Sequence, residues 1–175
     1  DAKGLLLAAI RDPNPVLYFE HKKLYRSVKG EVPEGDFTVP LGKAAVRREG
    51  RDLTVLTYGS MVSLSLEAAE LMSKRGVEAE VLDLRTLSPL DKEAILTSVR
   101  KTSKCLIVHE DKRTMGLGAE LSAIVGEEAF DDLDGPIVRI TGPDIPAMPF
   151  SPPLEKAWLL NTEKILAGME KLAAY

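Results

Sequence analysis

The chain carries one cysteine, one tryptophan and two histidines in 175 residues. A lone thiol, Cys105, permits neither a disulfide framework nor a cysteine metal cluster, and a reducing cytosol is the expected setting. His21 and His109 lie far apart, without the H-x-x-x-H spacing of a zinc pair. Basic residues are scattered rather than clustered beside aromatics. With a net charge of -4 and a pI near 5.3, a nucleic-acid partner is not expected. The longest purely apolar run, Leu5 to Ile10, is far too short to span a bilayer, and no signal peptide is visible, so no membrane partner is expected. There is no G-x-G-x-x-G, no Walker glycine-lysine pair and no G-x-S-x-G elbow. The chain opens on Asp1 rather than Met, inside a helical pattern, which leads us to expect a piece of something longer.

What is present is an alternation of strands and helices. "DAKGLLLAAIRDPNP" reads as a helix stopped by Pro13 and Pro15, and Val16 to Glu20 as a buried strand. The polar, Gly- and Pro-rich "SVKGEVPEGD", Ser27 to Asp36, reads as a linker and marks a domain boundary. Asp52 to Gly59 is a strand, and "GKAAVRREG" before it is expected to pair with it. Leu64, Ala68, Leu71 and Met72 fall at helical spacing, with Gly76 as the closing cap. Val77 to Leu84 is the next strand, and "SPLD" from Ser88 to Asp91 reads as a capping-box start with Pro89 at the first helical position. Ile95, Leu96 and Val99 line that helix. "KCLIVHE" is a further strand, Leu117, Leu121, Ile124 and Val125 a further helical stripe, and "PIVRIT" a last strand. A single closing helix is expected to carry Trp158, Ile165, Leu166, Met169 and Leu172. This order implies an α/β fold with a mostly parallel sheet covered by helices on both faces.

Chemical candidates are few. "VHEDKRTMGLGAEL" places His109, Glu110 and Asp111 at a strand's carboxyl end, where open α/β sheets put their sites. A catalytic histidine also needs a positioned partner, which spacing does not supply, so the stronger reading is a strand-to-helix corner with Thr114 capping the helix. His21, followed by Lys22, Lys23 and Arg26, reads as a solvated rim. Ser60 reads as an N-cap and Cys105 as inert core. The helix ending at "AIRDPNP" offers free oxygens around Ala9, Asp12 and Asn14, a donor type suited to a hard cation.

Five stretches, "DAKGLLLAAIRDPNPVLYFEHKKLYR", "EGRDLTVLTYGSMV", "GVEAEVLDLRTLSPLD", "HEDKRTMGLGAEL" and "EEAFDDLDGPIVRITGPDIPAMP", taken in order, resemble the β subunit of the thiamine-diphosphate-dependent decarboxylating component of 2-oxo acid dehydrogenase complexes. The resemblance implies a transketolase-like architecture: residues 1–26 as the tail of a pyrimidine-binding domain, 27–40 as linker and 41–175 as a transketolase C-terminal domain. It implies a heterotetramer in which thiamine diphosphate and magnesium are held upstream of this chain and by the α subunit. No catalytic or cofactor-binding residue carries over, and the chain alone is expected to be inactive. The resemblance implies a structural potassium ion at Ala9, Asp12 and Asn14. It also implies partners: an α subunit, a second β subunit, and the basic subunit-binding domain of the dihydrolipoyl acyltransferase, met by Asp134 and by the carboxylate of Tyr175. Charge pairing of that kind favours fast, salt-sensitive docking. The sequence leaves open which 2-oxo acid is used. Two further readings are a freestanding Rossmann-like nucleotide- or anion-binding module and a fragment of a transketolase-type enzyme.

Overall fold

The computed structural model describes residues 1–175. Its centre is one five-stranded sheet made of β1 (Ala45–Arg48), β2 (Leu53–Thr57), β3 (Ala79–Asp83), β4 (Cys105–Lys112) and β5 (Val138–Gly142), in the order β1-β3-β2-β4-β5. Strands β3, β2, β4 and β5 run parallel. All five residues of β2 and of β3 are buried, the polar Thr54, Thr57, Glu80 and Asp83 among them, as expected of central strands covered on both faces. Helices α3 (Met61–Ser73) and α7 (Thr162–Ala173) cover one face, and α4 (Lys92–Thr102) and α5 (Leu117–Glu128) cover the other. The first layer joins Val55, Val81 and Leu106 to Met72, Ile165 and Met169. The second joins Leu56, Leu82 and Ile107 to Ile95, Val99 and Leu121.

Several local expectations need correction. β1 pairs antiparallel with β3, not with β2, with Ala45 opposite Asp83. The 49–52 turn instead folds back beside the start of β3, where Arg51 and Asp52 both donate their amides to the Glu78 carbonyl. Gly50 is required there, because a Cβ would lie 2.6 Å from that carbonyl oxygen. Helix α4 starts later than the Ser88 reading: its N-cap is Asp91, whose carboxylate accepts the Ala94 amide at 3.2 Å and also the Ala44 amide at 3.0 Å. The last helix is two. α6 (Pro152–Trp158) ends before α7, and Asn161 caps α7 through the Lys164 amide at 2.9 Å.

The first forty residues fold against one another. α1 (Ala2–Arg11) sets Gly4 against Phe37 and Val39, and the Val39 amide donates to the Gly4 carbonyl at 3.0 Å. Arg11 pairs with Asp36 at 2.8 Å, and Asp1 reaches Arg47 and Arg85. Val16 to Glu20 is extended but forms no strand. It pairs with no strand of the sheet, and Leu17 and Phe19 stay in solvent, at 84% and 88% exposure. A short helix, α2 (Leu24–Ser27), follows.

One polar network lies inside the second layer. Thr54 donates to the Ser98 carbonyl at 2.9 Å and meets the Thr102 hydroxyl at 2.8 Å. The Ser98 hydroxyl donates to Glu80 at 2.6 Å, and Lys101 completes the set by pairing with Glu80. Glu80 is almost wholly buried, so these partners are what make its charge tolerable.

Candidate functional site

In an open parallel sheet the crevice for a ligand opens where the chain reverses its direction of strand addition. Here β2 leads to β3 on one side and, later, to β4 on the other, so that point lies between the carboxyl ends of β2 and β4. β2 delivers Tyr58 and Ser60, and β4 delivers His109, Glu110 and Asp111. The structure adds a residue that the sequence placed elsewhere. His21 Nε2 lies 3.0 Å from Glu110 Oε1, and Ser60 donates its hydroxyl to Glu110 Oε2 at 3.2 Å. His21 is therefore not rim, and the N-cap position of α3 is held by a serine whose side chain bonds Glu110 rather than the helix.

His109 is fully buried. Its Nε2 accepts the Gly118 amide at 3.1 Å, at the first turn of α5, and its ring stacks on Tyr58 with centroids 6.3 Å apart. The tautomer that follows carries its proton on Nδ1, which has no partner. Burial lowers the His109 pKa, opposed by Asp111 and aided by Arg139. The Tyr58 hydroxyl is pushed up to about 12 by burial, then by Asp111 and Glu110. Thr114 does not cap α5, whose N-cap is Gly116. Its amide and hydroxyl go to Asp144 at 3.0 and 2.7 Å, which holds the Asp144 carboxyl below its usual range.

This arrangement holds segments together through Glu110 and His109. A serine nucleophile needs the histidine as its base, whereas here the carboxylate stands between Ser60 and His21. His109 has one nitrogen bonded to the backbone and the other enclosed. The crevice is a clasp that ties residues 12–28 to the sheet. Replacing Glu110 with Ala is expected to release that segment: its amide exchange should rise about fivefold, the value of a half-exposed pair worth about 1 kcal/mol, while β2 and β4 stay protected. Unchanged exchange at residues 12–28 would rule the clasp out.

The buried imidazole also sets a pH dependence. Because the fold favours the neutral ring, the unfolded chain binds more protons than the folded one once the pH falls below about 6.5. Stability is therefore expected to be fully present above that value and to decline as pH falls through it. His109→Gln should flatten the decline between about pH 6.5 and 5.5, read from urea midpoints. An unaltered slope would contradict the assignment.

The remaining candidates fall in two places. Asp12 Oδ1 accepts both the amide and the side-chain nitrogen of Asn14 at 2.9 Å, directly after α1, whose last turn contains Ala9. These are oxygens suited to a hard cation, but one turn supplies only part of a shell of about six. Asp134 is exposed on the turn into β5, where its amide donates to Ser103 at 2.8 Å. A Cβ on Gly135 would lie 3.1 Å from Tyr175 Cβ, so Asp134 and the C-terminal residue are neighbours. Cys105 is core, and burial raises its thiol to about 12. The polar residues around the crevice do not fit thiamine diphosphate, since Glu110 is committed to His21 and Ser60 and the His109 Nε2 to Gly118.

No helix is long and apolar enough to cross a membrane. A family model described as "Transketolase, C-terminal domain" matches residues 42–165. All 175 residues align at 53% identity with the 2-oxoisovalerate dehydrogenase subunit beta of Bacillus subtilis (strain 168), covering 54% of that protein. The acetoin:2,6-dichlorophenolindophenol oxidoreductase subunit beta of the same organism is 51% identical over 95% of this chain and 48% of its own. Its pyruvate dehydrogenase E1 component subunit beta is 46% identical over 100% of this chain and 53% of its own. The chain thus spans about half the length of the curated relatives it matches. Among solved structures, a split gene transketolase, an inactive beta4 tetramer, superposes with a TM-score of 0.69 at 28% identity, over 83% of this chain and 46% of that one.

Proposed function

Because the chain belongs to the transketolase C-terminal domain family, we propose that it forms the second domain, and the tail of the first, of the β subunit of a decarboxylating 2-oxo acid dehydrogenase component. The observation that carries this reading is the reach of the similarity. The family model begins at residue 42, yet identity to the 2-oxoisovalerate dehydrogenase β subunit runs through the whole chain, residues 1–41 included. In this reading residues 1–26 close a pyrimidine-binding domain, 27–40 link, and 41–175 form the second domain. The unpaired Val16 to Glu20 segment, with Leu17 and Phe19 in solvent, supports it, since an extended apolar segment of this kind is stable when the first domain's sheet lies beside it.

The chain's share is assembly. Thiamine diphosphate and magnesium belong to the preceding domain and the α subunit, and when bound they supply the decarboxylating chemistry. The residues described above bind and orient segments: Glu110 holds His21, and His109 and Gly118 lock β4 to α5. Asp134 and Tyr175 would meet the basic subunit-binding domain of the acyltransferase, and Ala9, Asp12 and Asn14 would give part of a potassium shell. A second β subunit completes the heterotetramer, in a bacterial cytoplasm. The test is to co-express the complete β subunit with its α subunit and to assay thiamine-diphosphate-dependent decarboxylation of 2-oxoisovalerate and pyruvate. Turnover on one of them is expected; a purified heterotetramer inert towards 2-oxo acids would overturn the reading.

A further inference from the structure

On the far side of Gly142 from the crevice, between β5, α6 and α7, lies a cavity of about 460 Å³, a volume in the range of small-molecule sites. Half of its ten lining residues are apolar, among them Ile140, Trp158 and Leu160, and the polar ones include Arg113, Arg139 and Lys164. No carboxylate lines it. Arg113 and Arg139 each give one Nη1 donor to the other's carbonyl, at 3.2 and 3.3 Å, and neither forms an ion pair anywhere in the chain. The Nε and Nη2 groups of both guanidiniums are left without a partner, and that pair is the fork that meets a carboxylate or phosphate. Lys164 is fixed beside them by the carbonyls of Ala157 and Leu159, both at 2.7 Å. Trp158 Nε1 is shielded from solvent with no acceptor, an unmet donor in a position where buried polar atoms are normally satisfied. In a chain of net charge -4, a concave, half-apolar surface with three cations and no acid is out of keeping with the rest of the molecule.

We infer that this cavity is a binding site for a small organic anion, a carboxylate or phosphate group taken by Arg113 and Arg139 and carried on a flat apolar body that lies against Trp158. The site goes beyond the assembly role and does not depend on it.

Trp158 is the only tryptophan, so its emission reports on the cavity directly. The 175-residue chain is titrated with phenyl phosphate and with benzoate, and separately with benzyl alcohol, inorganic phosphate and acetate. At least one of the first two should saturate the Trp158 signal with a Kd below about 1 mM. The body alone and the anion alone should each bind at least roughly tenfold more weakly. Preference between phenyl phosphate and benzoate identifies which anion the fork takes. An Arg113→Gln/Arg139→Gln variant with unchanged circular dichroism should lose the saturable signal. The inference is overturned if neither probe saturates, if inorganic phosphate or acetate alone matches them (an adventitious ion only), or if the variant binds as the wild type does. The comparison among probes stands on the wild-type chain, so it decides the matter even where the variant fails to fold.

Discussion

Gly118→Ala is expected to destabilise the fold by about 2–3 kcal/mol, the upper range for overpacking a filled core, and to lower Tm by about 5–10 °C. A Cβ at this position would collide with the imidazole of His109, at 2.7 Å from Cδ2 and closer still to Nε2, and would lie 3.3 Å from Ile107 Cγ2. The ring has no route of retreat. It is fully buried, stacked on Tyr58 and bonded to the Gly118 amide itself. The methyl group therefore forces either the ring or the first turn of α5 away, and either movement breaks the 3.1 Å bond. Removing the ring removes the collision, so Gly118→Ala should cost less in a His109→Ala background by at least about 1 kcal/mol, the coupling expected of residues in contact. Thermal and urea unfolding of the four proteins measure it. Additive effects would show that the glycine is needed for another reason.

Lys101→Met is expected to cost about 2–3 kcal/mol, somewhat under the figure for breaking a fully buried pair, because the lysine itself is partly in solvent. Its partner, Glu80, is 1% exposed. With the ammonium gone, the carboxylate keeps only the Ser98 hydroxyl at 2.6 Å, and one neutral donor does not compensate a charge held out of water. The cost comes from the stranded partner rather than from the lost attraction. Adding Glu80→Gln to the variant should therefore recover most of the loss, since the neutral amide retains the hydrogen bond to Ser98. The shift in urea midpoint at constant m reads both results. A Lys101→Met protein as stable as the wild type would mean that the carboxylate finds water in the fold.

The layers of this fold were legible because the central strands and the helices signal themselves differently. β2 and β3 are short stretches rich in Val and Leu between turn residues, and α4 carries Ile95, Leu96 and Val99 at helical spacing. The partner of β1 was not legible. Whether an edge strand joins β2 or β3 depends on which side of the sheet is still open, a property of strand order that no local pattern encodes. Val16 to Glu20 has the composition of a strand, but a strand also needs a pairing partner, and this segment pairs with none of the five. The site was legible in its parts and not in its assembly. His109 to Asp111 could be placed at a strand end, whereas the contact of His21 with Glu110 joins segments from opposite parts of the chain. Tyr58, Gly142 and Trp158 gave no motif at all. Their roles arise from stacking and close approach, which become visible only once β2, β4 and β5 lie side by side.

On the proposed function, this chain contributes architecture while the chemistry resides outside it. The most direct measurement is decarboxylation of 2-oxoisovalerate and pyruvate by the purified 175-residue chain, supplied with thiamine diphosphate and magnesium and monitored by carbon dioxide release. No turnover above the protein-free control is expected, because His109 is enclosed and Glu110 is committed to His21 and Ser60. Measurable turnover by this chain alone, abolished by His109→Ala or Glu110→Ala, would contradict the claim and return the crevice to the status of an active site.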